Sequence, residues 1–355
     1  MTVFSHDAFA DHEQVVFVSD EAVGLKALIA IHDTSLGPAL GGCRMYPYAD
    51  EQAALRDVLR LSRGMTYKAA AAGLDLGGGK AVIIGDPRRQ KTPELLRAMG
   101  RAVERLCGRY ITAEDVGTSV ADFAEVRKTT GHVVGLPIEL GGSGDPSPTT
   151  ALGVFHGLNA AARHRWGATS LSGCSIAVQG LGNVGWHLCQ LLHQASASLV
   201  VSDIDESRVA NAVATFSARA AAPDAIDVAE VDIFAPCAMG AVLDGASIAQ
   251  LRCGIVGGAA NNQLAHEEHG EQLRARGILY APDFVINAGG MIRVASERDG
   301  YDQAFVDRGV EGIGSTLRAI FESAETDGVP TQATARRLAQ TRLARARAAQ
   351  HALAA

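Results

Sequence analysis

SIAVQGLGNVGWHLCQLLHQASASLVVSD, residues 175–203, is the stretch on which the fold turns. The apolar run at 175–179 reads as a strand that delivers the chain directly into Gly180-x-Gly182-x-x-Gly185. A helix, HLCQLLHQ, follows, and a second apolar run, LVVS, ends on Asp203. Glycines at that spacing allow a tight turn and let a pyrophosphate approach the first free amides of a helix, where the dipole favours an anion. A carboxylate closing the next strand suits the adenosine ribose hydroxyls and repels a 2′-phosphate, so NAD is expected over NADP. The plainer alternative is a structural glycine turn; strand, helix and acid together argue against it.

Outward from this stretch the alternation continues. VDIFAPCAMG, GIVGGAANNQL and GILYAPDFVINAGG each repeat strand then loop, as a parallel α/β domain does. Upstream, Ser147 and Pro148 open a long helix, TTALGVFHGLNAAARHRW, and VVGLPIELGGSGDPSPTT reads as a linker. Two domains follow: 1–145, joined by an alanine- and arginine-rich helix over 331–355, and 146–330. At 355 residues the chain is long enough to give each its own core.

In the first domain two strands are expected, over 15–18 and 25–31, then the loop PALGGCRMYPY, where Gly41 and Gly42 offer backbone amides and Arg44 lies just beyond. EQAALRDVLRLSRGMTYKAA has apolar residues at helical spacing, which puts Lys68 near a helix end. Then come a turn at Gly77, Gly78 and Gly79, Lys80, and a buried strand AVII. Desolvation and a second ammonium both lower a lysine pKa, towards that of a general base at neutral pH. Thr92 is a helix N-cap with Pro93 in the first turn. YITAEDVGT then places Asp115 after a short strand, as a third member of the lysine site. Two surface lysines and a capping acid are the plainer reading. Across a linker from a nicotinamide site the three suggest a division of labour, with one lysine for a substrate carboxylate, the other for water or a carbonyl, and the acid for an amine proton.

Composition narrows the classes. A net charge of −7 argues against a dedicated nucleic-acid partner, and no apolar run is long enough to span a bilayer. The N-terminus lacks a basic start and an apolar stretch, and the six cysteines are scattered without ligand spacing, so a cytoplasmic protein is expected. HEEH, His266 to His269, is not HExxH and reads as a solvated helix face, with no metal expected. The arginines at 336, 337, 342, 345 and 347 read likewise as a solvated face.

GPALGGCR, LSRGMTYKAAAAGLDLGGGK, YITAEDVGT, VQGLGNVG, DIFAPCAMG, GAANNQL and YAPDFVINAGG occur in this order over nearly the whole chain. They resemble the Glu/Leu/Phe/Val amino-acid dehydrogenase family. The resemblance implies an α/β fold of two domains, an N-terminal substrate domain and a C-terminal Rossmann-type NAD-binding domain, with a cleft between them. It implies reversible, NAD-dependent oxidative deamination of an L-amino acid to a 2-oxo acid and ammonia, in a homo-oligomer. Lys68 would bind the substrate carboxylate, assisted by Gly41 and Gly42. Lys80 would be the general base that activates water, and Asp115 would shuttle protons at the amino nitrogen. The cofactor positions would be Arg44, Thr150, Gly180, Leu181, Gly182, Asn183, Val184, Gly185, Asp203, Ile204, Cys237, Ala238, Ala259, Ala260, Asn261 and Asn287. Leu40, Ala113, Met291 and Val294 fall where glutamate-specific relatives carry polar or charged partners, and all four are apolar. Leu40 with Ala113 resembles the leucine enzymes, and residues 66–86 are equally similar to the valine enzymes. Met291 departs from the valine of a leucine enzyme. Leucine is therefore expected first, with valine and isoleucine overlapping; phenylalanine or another aromatic is the alternative, and a non-catalytic NAD-binding sensor the rival of a different class.

Overall fold

In the computed structural model, which describes residues 3–298 and 300–354, the chain divides into two compact units. The first comprises Met1–Asp145, Arg293–Gln303 and Ala339–Ala355; the second comprises Pro146–Ile292 and Ala304–Leu338.

The first unit is a mixed sheet with helices on both faces. Its strands are β1 (Gln14–Asp20), β2 (Leu25–Asp33), β3 (Ala39–Tyr46), β4 (Gly77–Ile84) and β5 (Tyr110–Glu114), in the order β1-β2-β4-β3-β5. The β1–β2 and β2–β4 pairs are antiparallel, and β3 runs parallel to both β4 and β5. Helix α1 (Glu51–Ala71) covers one face; α2 (Pro93–Glu104) and α3 (Val120–Arg127) belong to the other. Because successive side chains in a strand point to opposite faces, β2 and β4 feed two cores. Leu28, Ala30 and Val82 pack with Leu55, Val58 and Leu59 of α1, while Ile29, Ile31, Ala81 and Ile83 pack with Leu96, Met99 and Val103 of α2. Asp50 caps α1 by accepting from the Ala53 N–H at 2.7 Å, and Thr92 caps α2 from Leu95 at 3.2 Å.

Two segments that read as turn and loop are strands. Gly77, Gly78 and Gly79 belong to β4, and Gly41 and Gly42 belong to β3. The glycines serve close approach: a Cβ on Gly78 would lie 2.1 Å from the Thr66 backbone nitrogen, and one on Gly41 would lie 1.8 Å from the Gly79 carbonyl oxygen. Helix α1 therefore rests directly on the sheet backbone.

The second unit is a parallel sheet. Its strands are β6 (Ser175–Gln179), β7 (Ser198–Ser202), β8 (Arg219–Ala220), β9 (Ile233–Pro236), β10 (Ile255–Val256) and β11 (Leu279–Tyr280). Their order, β11-β10-β9-β6-β7-β8, is that of a doubly wound dinucleotide-binding sheet. Helices α4 (Ser147–Trp166), α5 (Asn183–Gln194), α6 (Glu206–Phe216), α7 (Gly245–Gln250), α8 (His269–Ala275), α9 (Asp283–Ile286), α10 (Gly289–Ala295), α11 (Gln303–Asp327) and α12 (Thr331–Ala354) complete the chain. Ile176, Ala177 and Val178 of β6 are fully buried, as a central parallel strand covered on both faces requires.

His266 to His269 is not a solvated helix face. Only His269 lies in α8; it is buried, and its Nδ1 accepts from the His266 N–H at 3.0 Å. The C-terminal arginines are also more than solvated: Arg336 and Arg337 pair with Glu267 and Asp327, and Arg342 and Arg347 with Asp75 and Asp33.

Candidate active site

Alternation along the strands sets the site. Cys43 and Met45 of β3 and Ala81 and Ile83 of β4 face the α2 core, so Arg44 and Lys80 face α1, the helix that carries Lys68. Lys80 is 5% exposed, and its ammonium pairs with Asp115 Oδ2, just beyond β5. Burial, then the charges of Arg44 and Lys68, pull the Lys80 pKa down to about 7. With its pKa near 7, Lys80 can hold or release its proton at neutral pH while it faces the Asp115 carboxylate. This is the arrangement general acid–base chemistry needs.

Asp115 is held on all sides. Oδ1 accepts from Arg44 Nε and Nη2, both at 3.3 Å, and from the Val116 N–H at 2.6 Å. Thr118 Oγ1 accepts from the Asp115 N–H at 2.9 Å and donates to the Cys43 carbonyl at 3.0 Å. Arg44 Nη1 reaches Asp57 Oδ2 at 3.0 Å, and Tyr48 O–H donates to that same oxygen at 2.5 Å. Lys68 is half-buried near the end of α1. Asp57 and Tyr48 escaped the sequence reading. The signal for Asp57 was present: on a helix it shares a face with Lys68, three turns further on.

An apolar cluster lies in the same unit. Leu40 and Ala113 are buried, and a Cβ on Gly135 would lie 3.8 Å from Ala113 Cβ and 4.0 Å from Val294 Cγ1. Gly135, with φ +72°, was also missed. Its loop is clamped by Glu297, which accepts from the Gly135 N–H at 2.7 Å and the Ser143 N–H at 2.8 Å. Met291 is buried in α10 of the second unit, whereas Val294 of the same helix belongs to the first.

The second unit holds the glycine turn. Gly180 has φ +95°, and a Cβ on it would lie 2.7 Å from the Ala238 Cβ; one on Gly185 would lie 2.0 Å from the Gly180 carbonyl oxygen. Gly182 begins α5 with no side-chain cap and open space around it, so the helix N-terminus is available to an anion. Asp203 follows β7. Its Oδ2 accepts from the Leu181 N–H at 2.6 Å and its Oδ1 from the Asp205 N–H at 2.9 Å, beside an exposed Ile204. Asn183 and Val184 form the first turn of α5.

At the far ends of β9 and β10 the remaining positions gather. The half-buried Cys237 donates its N–H to the Gln179 carbonyl at 2.7 Å, beside the exposed Ala238. Asn287 Nδ2 donates to the Ala259 carbonyl at 3.1 Å, the Ala260 carbonyl at 3.5 Å and Asn261 Oδ1 at 2.9 Å. Asn287 Oδ1 is buried with no hydrogen-bond partner among the described residues. Thr150, in the first turn of α4, lies against Gly290 of α10. A bare helix N-terminus, crowded glycines and an orphan acceptor suit a dinucleotide. Gln263, fully buried, ties this loop together through the Gly258 and Ala260 carbonyls.

Residues 12–132 match the family model described as Glu/Leu/Phe/Val dehydrogenase, dimerisation domain. Residues 141–209 and 201–351 match that described as Glutamate/Leucine/Phenylalanine/Valine dehydrogenase. A leucine dehydrogenase of Bacillus subtilis is 52% identical over 98% of this chain and 95% of its own length. A phenylalanine dehydrogenase of Caldalkalibacillus thermarum is 47% identical over 97% and 94%. The crystal structure of L-tryptophan dehydrogenase from Nostoc punctiforme superposes with a TM-score of 0.83 at 48% identity, covering 95% of this chain and 97% of that one.

Proposed function

This chain belongs to the Glu/Leu/Phe/Val dehydrogenase family, and on that premise we propose that it catalyses NAD-dependent, reversible oxidative deamination of branched-chain L-amino acids. It is an oxidoreductase, and a nicotinamide cofactor goes with the family. The reaction balances as amino acid, NAD⁺ and water giving 2-oxo acid, ammonium, NADH and a proton.

The buried Lys80–Asp115 pair carries this reading. Lys68 neutralises the substrate carboxylate, with β3 at Gly41 and Gly42 alongside, and so fixes Cα. Asp115 takes a proton from the amino nitrogen. A bound nicotinamide would supply the hydride acceptor for Cα. Neutral Lys80 then removes a proton from water as its oxygen adds to the iminium carbon; Asp115 gives its proton to the amino nitrogen, and its freed carboxylate takes the hydroxyl proton as the C–N bond breaks and ammonia leaves. Burial of Lys80 excludes bulk water from these transfers. Residues 180–185, Asp203 and Ile204 would hold the adenosine and pyrophosphate part; Thr150, Cys237, Ala238, Ala259, Ala260, Asn261 and Asn287 of the same unit would serve the nicotinamide side, and in the first unit Arg44 would be a further cofactor residue. The Asp203 carboxylate favours NAD over its 2′-phosphorylated form.

Leu40, Ala113 and Val294 of the first unit are apolar where a glutamate side chain would need a polar or basic partner, and Met291 of the second unit is apolar as well. Leucine comes first. One methylene separates substrates by only about 1–3 kcal/mol, so valine and isoleucine overlap. The flexible Met291 and the similarity to a tryptophan dehydrogenase favour a second reading, an aromatic substrate. The model described as a dimerisation domain supports a homo-oligomer, and six free thiols suit the cytoplasm.

Initial rates of NADH formation test this with leucine, valine, isoleucine, phenylalanine, tryptophan and glutamate, and with NADP in parallel. Fastest turnover on leucine or valine with NAD is expected. Preference for an aromatic moves the reading to the second substrate class. Lys80→Ala is expected to lose roughly a hundredfold or more in kcat while still binding NADH; undiminished turnover would remove Lys80 from its role as base.

A further inference from the structure

The two oxygens of Asp115 have different partners, and groups remote from Lys80 decide which is which. Oδ1 is taken by Arg44 and the Val116 N–H, while Oδ2 meets Lys80. Behind Arg44 stands Asp57 of α1, one oxygen of which accepts from both Arg44 Nη1 and Tyr48 O–H. The chain Tyr48–Asp57–Arg44–Asp115–Lys80 becomes steadily drier: side-chain exposure falls from 28% at Asp57 and 24% at Arg44 to 15% at Asp115 and 6% at Lys80. An arginine side chain has many rotamers, and two carboxylates at opposite ends of its fork select one.

We propose that Asp57, seated by Tyr48, is a positioning residue: it fixes the Arg44 guanidinium so that Asp115 Oδ1 is occupied and Oδ2 alone exchanges protons with Lys80 and the substrate nitrogen. This rests on the reading of Lys80 as base and Asp115 as proton shuttle. The groups facing Lys80 are Arg44 from β3, Lys68 and Asp57 from α1, and Asp115 beyond β5, while Cys43 lies on the opposite face of β3 close enough to act through space. Cys43, pushed up to about 12 by burial, stays a neutral thiol. Arg44 and Lys68 disfavour the Lys80 ammonium, and Asp57 favours it. Neutralising Asp57 and neutralising Arg44 must therefore move the base in opposite directions, although both loosen Asp115.

The test is the pH profile of kcat/KM for oxidative deamination, which rises with pH as Lys80 loses its proton. In Asp57→Asn the rising limb is expected to move to lower pH, and in Arg44→Gln to higher pH, each by about half a unit or more. In both, kcat should fall roughly tenfold to a hundredfold, since a misplaced carboxylate wastes orientation. Asp57→Glu keeps the charge and is expected to restore the wild-type limb with part of kcat, a rescue that a packing role would not give. Limbs that stay put in both neutral variants, or move the same way, overturn the proposal. Lys80→Ala run alongside separates the two readings: retained turnover there defeats the base assignment, whereas lost turnover with unmoved limbs defeats only the role of Asp57. Should circular dichroism show Asp57→Asn unfolded, Tyr48→Phe carries the test. It deletes only the O–H on Asp57 and is expected to lower kcat about threefold; an unchanged kcat overturns the proposal.

Discussion

On the proposed reading, cofactor choice rests on a single carboxylate, Asp203. Two backbone amides hold it in place, and Arg208 lies 4.0 Å from Oδ2 and 3.5 Å from the Asp205 carboxylate. Asp203→Ser would remove the repulsion towards a 2′-phosphate and leave Arg208 near it. The ratio of kcat/KM with NADP to that with NAD is expected to rise by about tenfold or more, because a like-charge clash costs several kcal/mol. An unchanged ratio would take Asp203 out of the discrimination. Lys80 makes the complementary point. A surface lysine would stay charged to alkaline pH, but this one is buried between strands beside Arg44 and Lys68, so it titrates at about 7. Both residues could be named from sequence, because a lysine before an apolar run and an acid closing a strand leave local marks. Asp57 shares a helix face with Lys68, but its partner Arg44 is brought to it by β3, and Gly135 leaves no local mark because Ala113 and Val294 reach it from other elements.

Helix α1 carries the sheet's contacts as well as Lys68. On its inner side, His32 Nδ1 bonds Thr66 Oγ1 at 2.9 Å, and His12 Nε2 bonds the Leu59 carbonyl at 3.0 Å and Ser62 Oγ at 3.1 Å. The two imidazole rings stand edge to face, 4.9 Å apart. Burial, then the proximity of His12, pushes the His32 pKa down to about 4, and burial lowers that of His12 as well. The folded state thus binds fewer protons than the unfolded state between pH 6.5 and 4. Stability is full above about 6.5 and is lost as pH falls towards 4, by about 3 kcal/mol for His32 alone. Urea unfolding at pH 7.5 and pH 5 measures this loss, and His32→Asn should flatten it; an equal slope in the variant would refute the assignment. The glycine run in β4 belongs to the same packing. It reads as a turn because glycine usually marks one, yet here the missing Cβ of Gly78 lets α1 touch the strand, and that of Gly79 makes room for the Tyr110 ring.

The chain as a whole returns to its first unit at its end. Ala339 and Leu343 of α12 pack on Ala70 at the end of α1. Arg342 donates to the Ala70 carbonyl at 3.1 Å, the Gly73 carbonyl at 3.0 Å and Asp75 at 2.9 Å, and so terminates the helix that carries Lys68. Arg347 pairs with Asp33, which is 1% exposed. Arg342→Ala should cost about 1–2 kcal/mol of stability, from lost hydrogen bonds to helix-terminal carbonyls. Because the last turn of α1 would fray, KM for the amino acid should rise more than kcat falls. A variant with wild-type KM would show that α12 supports only stability.

Much of this molecule is written locally. The strand–glycine–helix–acid run fixes a doubly wound second unit, since hydrophobic period and glycine spacing are properties of neighbouring residues. Thr92 as a helix cap and the helix spanning Lys68 are legible for the same reason. The tertiary structure decides the rest. Strand alternation says that Arg44 and Lys80 share a face only once β3 and β4 are known to lie side by side. The partnership of Asp57 with Arg44 joins a helix to a strand, and the clamp of Glu297 on Gly135 joins segments far apart in sequence. Such pairings follow from the packing of distant elements, and no local pattern encodes them.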